Sequence, residues 1–113
     1  MIINIGVDIV DLNRFRLFSS DQKFLDKCFS KNEMNLKMEG RAGRFAAKEA
    51  FFKALNNSLV FRWEDIEITS SVDGAPEFKF HNDLFQLMSK KKTHLSISYS
   101  KDNVLAVVII VEQ

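Results

Sequence analysis

The sequence has little of what marks several classes of protein. Its single cysteine, Cys28, cannot form an internal disulfide, and its two histidines, His81 and His94, lack the spacing of a zinc site. No apolar run reaches the roughly 18 residues of a membrane span. Residues 1–6 show no basic segment leading into an apolar one, so we expect no signal peptide, no membrane contact and a cytoplasmic protein.

The chain also lacks an excess of charge of either sign. Sixteen Lys and Arg balance fifteen Asp and Glu, for a formal net charge of +1, so no global field favours nucleic acid. The basic run at residues 90–92 has no interleaved aromatic residues and is expected to be a solvated loop rather than a nucleic-acid site. Recognition by charge must therefore be local.

What is present is the composition of one folded domain. The chain has 113 residues, of which 46% are hydrophobic and 27% charged, and it contains no linker or repeat, so residues 1–113 are expected to form a single domain. A core of this modest size would gain from oligomerisation.

Local patterns predict mostly helical structure in the first half. Residues 2–9 form a short β-branched run typical of a buried strand, which places Asp8 near its C-terminal end. Asp11 and Asp21 precede apolar helical patterns as N-caps. Ser30 and Glu33 have capping-box spacing, which predicts the start of a long helix that runs to about residue 55. The glycines at 40 and 43 are possible weak points near its middle, and residues 56–58 are expected to end it.

The second half changes to strand periodicity. Residues 66–72 and 77–80 predict a hairpin, residues 82–88 a brief helix, and residues 94–100 and 104–111 two strands joined by a tight turn at Asp102 and Asn103, both tolerant of positive φ. The fold class is therefore α+β, with an N-terminal strand and helices packed on a mostly antiparallel sheet.

The helix around residues 41–55 holds the best candidates for chemistry. On a helical wheel its small apolar face is expected to be core, and Glu49 and Lys53 form a favourable i,i+4 pair elsewhere. Phe45 and Phe52 form a second apolar stripe, which predicts that a second partner packs against this helix. Glu49 is either half of a solvated surface ion pair or, beside Asp8, a ligand of Mg²⁺, which takes one or two carboxylates and completes its shell with water and phosphate oxygens.

Four segments carry the most specific pattern of the chain: GVDI at residues 6–9, GRFAAKEA at 43–50, IEI at 66–68 before GAP at 74–76, and HLSIS at 94–98. In this order and length they resemble the holo-[acyl-carrier-protein] synthases, the short type of 4'-phosphopantetheinyl transferase. The resemblance covers essentially the whole chain and implies that family's fold. Its two strongest motifs supply Asp8 and Glu49.

The resemblance implies an enzyme that moves the 4'-phosphopantetheine group of coenzyme A to a serine of apo acyl carrier protein, releasing adenosine 3',5'-bisphosphate, in fatty acid biosynthesis. Asp8 and Glu49 would hold Mg²⁺ against the pyrophosphate, and Lys53, one helical turn beyond Glu49, would reach the same phosphates. Lys48 points elsewhere on the wheel. The base that takes the serine proton stays open between Asp8 and a metal-bound water.

At the nucleotide end the resemblance assigns Arg44, His94 and Ser96 to coenzyme A. The family often has a histidine directly after the SIS run, where this chain has Tyr99, so a histidine contact there is not expected.

Two partner interactions follow. Arg14 and Arg16 are the expected docking residues for the acidic carrier protein, although a solvated helix face is the competing interpretation. Family members form homotrimers with active sites between subunits, and the stripe of Phe45 and Phe52 favours the same assembly. The competing hypothesis for the whole domain is a binding module that recognises an acidic partner without catalysis.

Overall fold

The computed structural model describes residues 1–55 and 62–112, which form helices and two antiparallel sheets. In chain order the elements are β1 (Ile2–Asp11), α1 (Leu12–Phe18), α2 (Gln22–Cys28), α3 (Lys31–Met34), α4 (Met38–Ala54), a 3-10 turn (Trp63–Asp65), β2 (Ile66–Ser70), β3 (Pro76–Phe80), α5 (Asn82–Met88), β4 (Lys91–Tyr99) and β5 (Asn103–Glu112). Within these two ranges no helix combines the length and apolar character needed to cross a membrane. The α+β architecture matches the sequence expectation.

The larger sheet has the strand order β1-β5-β4, and α4 packs across one of its faces. Contact is closest at Gly6, where a β-carbon would collide with the backbone of Ala50 on the helix. Because glycine has no side chain, α4 can lie directly on β1. Asp8 follows two residues later, so it faces the same helix.

Most of the predicted helix caps are confirmed. The Asp11 carboxylate accepts the backbone N–H of Arg14 at 3.0 Å, and Asp21 caps α2 in the same way. Ser30 and Glu33 form the reciprocal capping box. These signals are local, since each cap contacts only the turn that follows it.

The long helix predicted from residue 30 to 55 is wrong in its first part. The capping box opens only the four-residue α3, and α4 begins at Met38, so the break lies at residues 35–37, and glycines 40 and 43 are both inside α4. Arg41 stabilises the break, because its Nη1 donates to the carbonyl oxygens of Met34 at 3.4 Å and Leu36 at 2.9 Å. The predicted end at residues 56–58 lies outside the described residues.

The second half agrees with the sequence except at two turns. The hairpin of β2 and β3 and the helix α5 are confirmed. The β4–β5 turn spans residues 100–103, and Asn103 already belongs to β5. Asp102 and Asn103 do not use the positive φ that they tolerate, because among the described non-glycine residues only Asn82 has one, at 58°. Lys91 and Lys92 lie in β4 rather than in a basic loop, where they pair with the end of β5.

Phe45 does not face outward as the sequence predicts. Its ring stacks on Trp63 at 5.7 Å and lies 5.7 Å from Phe15 and 5.5 Å from Phe24, so an aromatic cluster of the same chain covers it. A helical wheel cannot show this, because the covering residues come from α1, α2 and the 3-10 turn. Phe45 is therefore packed within its own chain, so it does not form an outward stripe with the half-buried Phe52.

The unpartnered apolar surface lies instead on the sheet face opposite α4. Ile5, Val7 and Ile9 of β1 are 60%, 50% and 64% exposed, and Leu105 of β5 is 39% exposed. The strand register pairs Ile9 with Leu105 and sets Val7 and Ile5 beside further β-branched residues of β5. We call the exposed set Ile5, Val7, Ile9 and Leu105 the outer sheet face.

Candidate active site

Asp8, Glu49 and Lys53 meet where β1 runs beside α4. The Lys53 Nζ donates to Asp8 Oδ1 at 3.0 Å and to the carbonyl oxygen of Val7 at 3.1 Å. The ion pair of Lys53 is thus with the strand carboxylate rather than the predicted i,i+4 pair with Glu49. The Asp8 side chain is 15% exposed, which holds its carboxylate at the edge between strand and helix.

Glu49 is half-buried and lines the same cavity as Asp8, and the two carboxylates interact electrostatically. Burial raises the pKa of Glu49, the negative charge of Asp8 raises it further, and Lys53 opposes both. Two carboxylates with a single ammonium group leave negative charge at the site, which would stabilise an additional cation.

This electrostatic arrangement predicts a pH-dependent stability. Because the folded pKa of Glu49 is raised, its ionisation opposes folding, so stability should fall as pH rises from the unfolded value near 4.5 through the raised folded value. We expect Glu49→Gln to unfold at a higher temperature than the parent chain at pH 7 in the presence of a chelator, and to match it more closely at pH 4. Thermal melts at the two pH values measure this. A Gln variant less stable than the parent at pH 7 would contradict the charge arrangement.

A cavity of about 420 Å³ opens at these carboxylates. Its polar lining comes from Asp8, Asp11, Arg14, Glu49 and Asn103. Its apolar lining comes from Ile9, Val10, Phe15, Phe18 and Phe45. The cavity therefore joins an acidic end to an aromatic wall, and α1 provides part of both.

The donor set of this cavity fits a hard cation. Across residues 1–55 and 62–112 no three His, Cys, Asp or Glu side chains are grouped to hold a metal. Asp8 and Glu49 are two carboxylates of the cavity that interact with each other. A pair of carboxylate oxygens completed by water and phosphate oxygens is how Mg²⁺ is commonly bound, whereas zinc sites take three or four nitrogen and sulfur ligands.

The two predicted docking residues lie on α1 but differ in position. Arg14 lines the cavity, and its backbone N–H is held by Asp11. Arg16 is exposed, and its Nη1 donates to Asn13 Oδ1 at 3.3 Å. Leu17 and Phe18 beside them are 75% and 47% exposed, so α1 presents cations and apolar side chains together.

The residues assigned to the nucleotide lie on two sides of the larger sheet. Arg44 is on α4, and among the described residues its buried Nε has no hydrogen-bond partner. His94 and Ser96 pair in register with Ile109 and Val107, and their exposed side chains lie on the side of the outer sheet face. The structure therefore does not bring His94 and Ser96 to Arg44 or Asp8 within one chain.

Tyr99, the residue that departs from the family motif, lies at the end of β4 against α4. A β-carbon at Gly43 would collide with the Tyr99 hydroxyl. Tyr99 thus contacts the helix directly beside Arg44.

Sequence reasoning missed three residues of this region. Asp11 and Asn103 are cross-strand neighbours that both line the cavity, but the sequence indicated only a cap and a turn. Lys48 is fully buried with Glu33, whereas the wheel showed only that it points away from Glu49. Strand register and long-range ion pairs leave no local signal, although a charged residue beside an alanine-rich helix face was a hint.

Comparison with known proteins agrees with this geometry. Residues 4–108 match the model of the 4'-phosphopantetheinyl transferase superfamily. The chain is 39% identical over 114 residues to a holo-[acyl-carrier-protein] synthase of Caldicellulosiruptor saccharolyticus, covering 95% of this chain and 93% of that protein.

Two solved structures show the same fold. One is a holo-(acyl-carrier-protein) synthase of Bacillus anthracis in complex with CoA (3',5'-ADP), with a TM-score of 0.83, 34% identity, and coverage of 100% and 99% of the two chains. The other is the Helicobacter pylori synthase in complex with coenzyme A, with a TM-score of 0.82, 30% identity, and coverage of 94% and 98%.

Proposed function

Since this chain belongs to the 4'-phosphopantetheinyl transferase superfamily, we propose that it transfers 4'-phosphopantetheine from coenzyme A to a serine of apo acyl carrier protein. The products are the holo carrier protein and adenosine 3',5'-bisphosphate, and the reaction serves fatty acid biosynthesis. The observation that carries the proposal is that Asp8, paired with Lys53, and Glu49 line one cavity whose wall includes α1.

Asp8 and Glu49 are the residues that would hold Mg²⁺. An ion bound there would neutralise the charge of the pyrophosphate. Phosphoryl-type transfer depends on such charge neutralisation more than on covalent catalysis. The protein's own part is to hold both carboxylates at the edge of β1 and α4. Burial and the charge of Asp8 raise the pKa of Glu49, and a cation at the site would lower that pKa by favouring the ionised form.

Lys53 and Arg44 supply positive charge for the phosphates. Lys53 is 53% exposed and already lies at Asp8, so its ammonium group can shift toward a phosphate oxygen as charge develops on the leaving group. Arg44, with His94 and Ser96, is assigned to the nucleotide end of coenzyme A, where a guanidinium suits a phosphate. The base proposed to take the serine proton is either Asp8 or a metal-bound water.

We further propose a homotrimer whose active sites lie between subunits. The outer sheet face leaves apolar side chains uncovered on the side where an antiparallel sheet commonly meets water. His94 and Ser96 lie on that same side, so they can serve a nucleotide only at a boundary between chains. Both observations favour a second copy of the chain as the covering partner.

The decisive experiment is a transfer assay read by intact-mass spectrometry. Apo acyl carrier protein incubated with the chain, coenzyme A and Mg²⁺ should gain the mass of one phosphopantetheine group, and a chelator should prevent the gain. A carrier protein that stays unmodified with every divalent metal tried, yet binds the chain, would support the binding module instead.

Substitution of Arg14 should affect the Michaelis constant for one of the two substrates only. Charge reversal in Arg14→Glu is expected to raise the Michaelis constant for carrier protein about tenfold or more, and that for coenzyme A much less, because a docking contact across α1 involves one partner. Lys23→Glu, an exposed reversal on α2, is the matched control. Equal increases for both substrates would indicate instead that Arg14 shapes the cavity.

A further inference from the structure

A fully buried ion pair lies directly beside the active-site carboxylate of α4. The Nζ of Lys48 is 2.7 Å from Glu33 Oε1, and both side chains are only 1% exposed. Lys48 precedes Glu49 in the sequence, yet nothing in the proposed transfer uses it. Burying two charges is costly, and an apolar pair of similar volume is often at least as stable, so stability alone is a weak reason for such a pair.

The pair joins four parts of the fold. Glu33 of α3 accepts the backbone N–H of Ser30 at 2.9 Å through Oε1 and that of Ile68, in β2, at 2.9 Å through Oε2. Lys48 of α4 also donates to the carbonyl oxygen of Cys28, at the end of α2, at 2.6 Å. Each charged group therefore has several partners, and the Lys48 side chain is fixed in one direction.

On the side of α4 that faces β1, the described hydrogen bonds are those of the half-exposed Lys53 with Val7 and Asp8, and the buried contacts are apolar. There the helix meets β1 through Gly6 and the small side chains of Ala50 and Ala54, which pack closely but have no polar groups to define a rotation. Consecutive helical residues leave the axis about 100° apart. Because the Lys48 side chain is held toward Glu33, the direction in which the neighbouring Glu49 side chain projects from α4 is fixed as well.

We propose that the Glu33–Lys48 pair is a positioning element that sets the rotation of α4 and so holds Glu49 against Asp8. Lys48 acts through Glu49 and touches no substrate. The inference rests on the proposed function, since it assigns the pair to the metal site of that reaction.

The test compares Lys48→Met, the neutral double variant Lys48→Met/Glu33→Gln, and Lys37→Met as the matched control. Lys37 is an exposed lysine at the start of α4 without a side-chain cap. Lys48→Met leaves a buried carboxylate without its cation and should lower the unfolding midpoint by more than about 10 °C. The double variant removes that charge and should recover part of the loss, because the glutamine amide keeps only one of the two oxygens that accept from Ser30 and Ile68.

Two readouts separate orientation from stability. The first is Mn²⁺ binding followed by electron paramagnetic resonance, and the second is the backbone amide shifts of Asp8 and Glu49 without metal, both at a temperature where the double variant is folded. We expect the double variant to bind Mn²⁺ about tenfold more weakly than the parent with displaced amide shifts at both residues, and Lys37→Met to change neither.

A folded double variant with parental Mn²⁺ affinity and parental shifts would overturn the proposal. So would a double variant that fails to fold at any temperature, since the pair would then serve the fold as a whole. A parent chain that neither binds Mn²⁺ nor modifies the carrier protein would count against the proposed function, while the metal-free amide shifts would still decide whether Lys48 orients Glu49.

Discussion

Asp8→Asn and Glu49→Gln are each expected to lower the rate of phosphopantetheine transfer by about 1,000-fold or more while the domain stays folded. Each change keeps the size of the side chain but removes one of the two anionic ligands proposed for the metal, and metal stabilisation of transferring phosphates is worth several kcal/mol, with roughly tenfold in rate per 1.36 kcal/mol. The rate is measured from the mass gain of the carrier protein.

The matched control is Glu39→Gln, an exposed acid in the first turn of α4. It removes the same charge from the same helix without touching the cavity, so its rate should equal that of the parent. Retention of parental turnover by either site variant would refute the assignment of Asp8 and Glu49 to the metal. If the loss of transfer rate is accompanied by unfolding in circular dichroism, the assignment of the two residues to the metal would also be without support.

Val7→Glu is the second change with a large expected effect, because it places a charge at the centre of the outer sheet face. Full burial of one such aliphatic side chain is worth about 1.5–3 kcal/mol, whereas a buried unpaired carboxylate is strongly unfavourable. We expect the parent to form the proposed trimer, and the variant to be monomeric at the same concentrations and to lose transfer activity together with the trimer.

Light scattering and activity over a dilution series measure the two effects together. Val72→Glu is the control, since Val72 is fully exposed in the β2–β3 turn and the same substitution there should change neither assembly nor rate. A parent chain that is monomeric and fully active would contradict both the trimer and the shared site. This location replaces the Phe45 and Phe52 stripe, because Phe45 is covered within its own chain.

The sequence predicted the features that depend on neighbouring residues. Asp11, Asp21 and Ser30 were identified as caps because a cap contacts only the next helical turn. The strand–turn–strand pattern of the hairpin was visible for the same reason. Asp8 and Glu49 were paired partly from their residue types and partly from the resemblance of their motifs.

Features that depend on distant parts of the chain were not predicted. The break before Met38 is held by Arg41 reaching back to two carbonyl groups, and nothing in residues 35–37 signals it as proline would. The burial of Lys48 depends on Glu33, fifteen residues away. The side of each strand that α4 covers depends on the glycine at position 6, so the outer sheet face could be located only in three dimensions.

β1 passes into α1 without an intervening loop: Asp11 ends the strand and caps the helix, and the N–H of Leu12 donates to the carbonyl oxygen of Asp102 at 2.9 Å. Asp11 lies three positions after Asp8, and Arg14 lies three positions after Asp11. One short, anchored segment thus carries both a proposed metal ligand and a proposed docking residue. If the proposed function holds, the distance between a docked carrier protein and the phosphates would be set by the backbone geometry of this segment, and the attacking serine would arrive at the same place each time the two proteins meet.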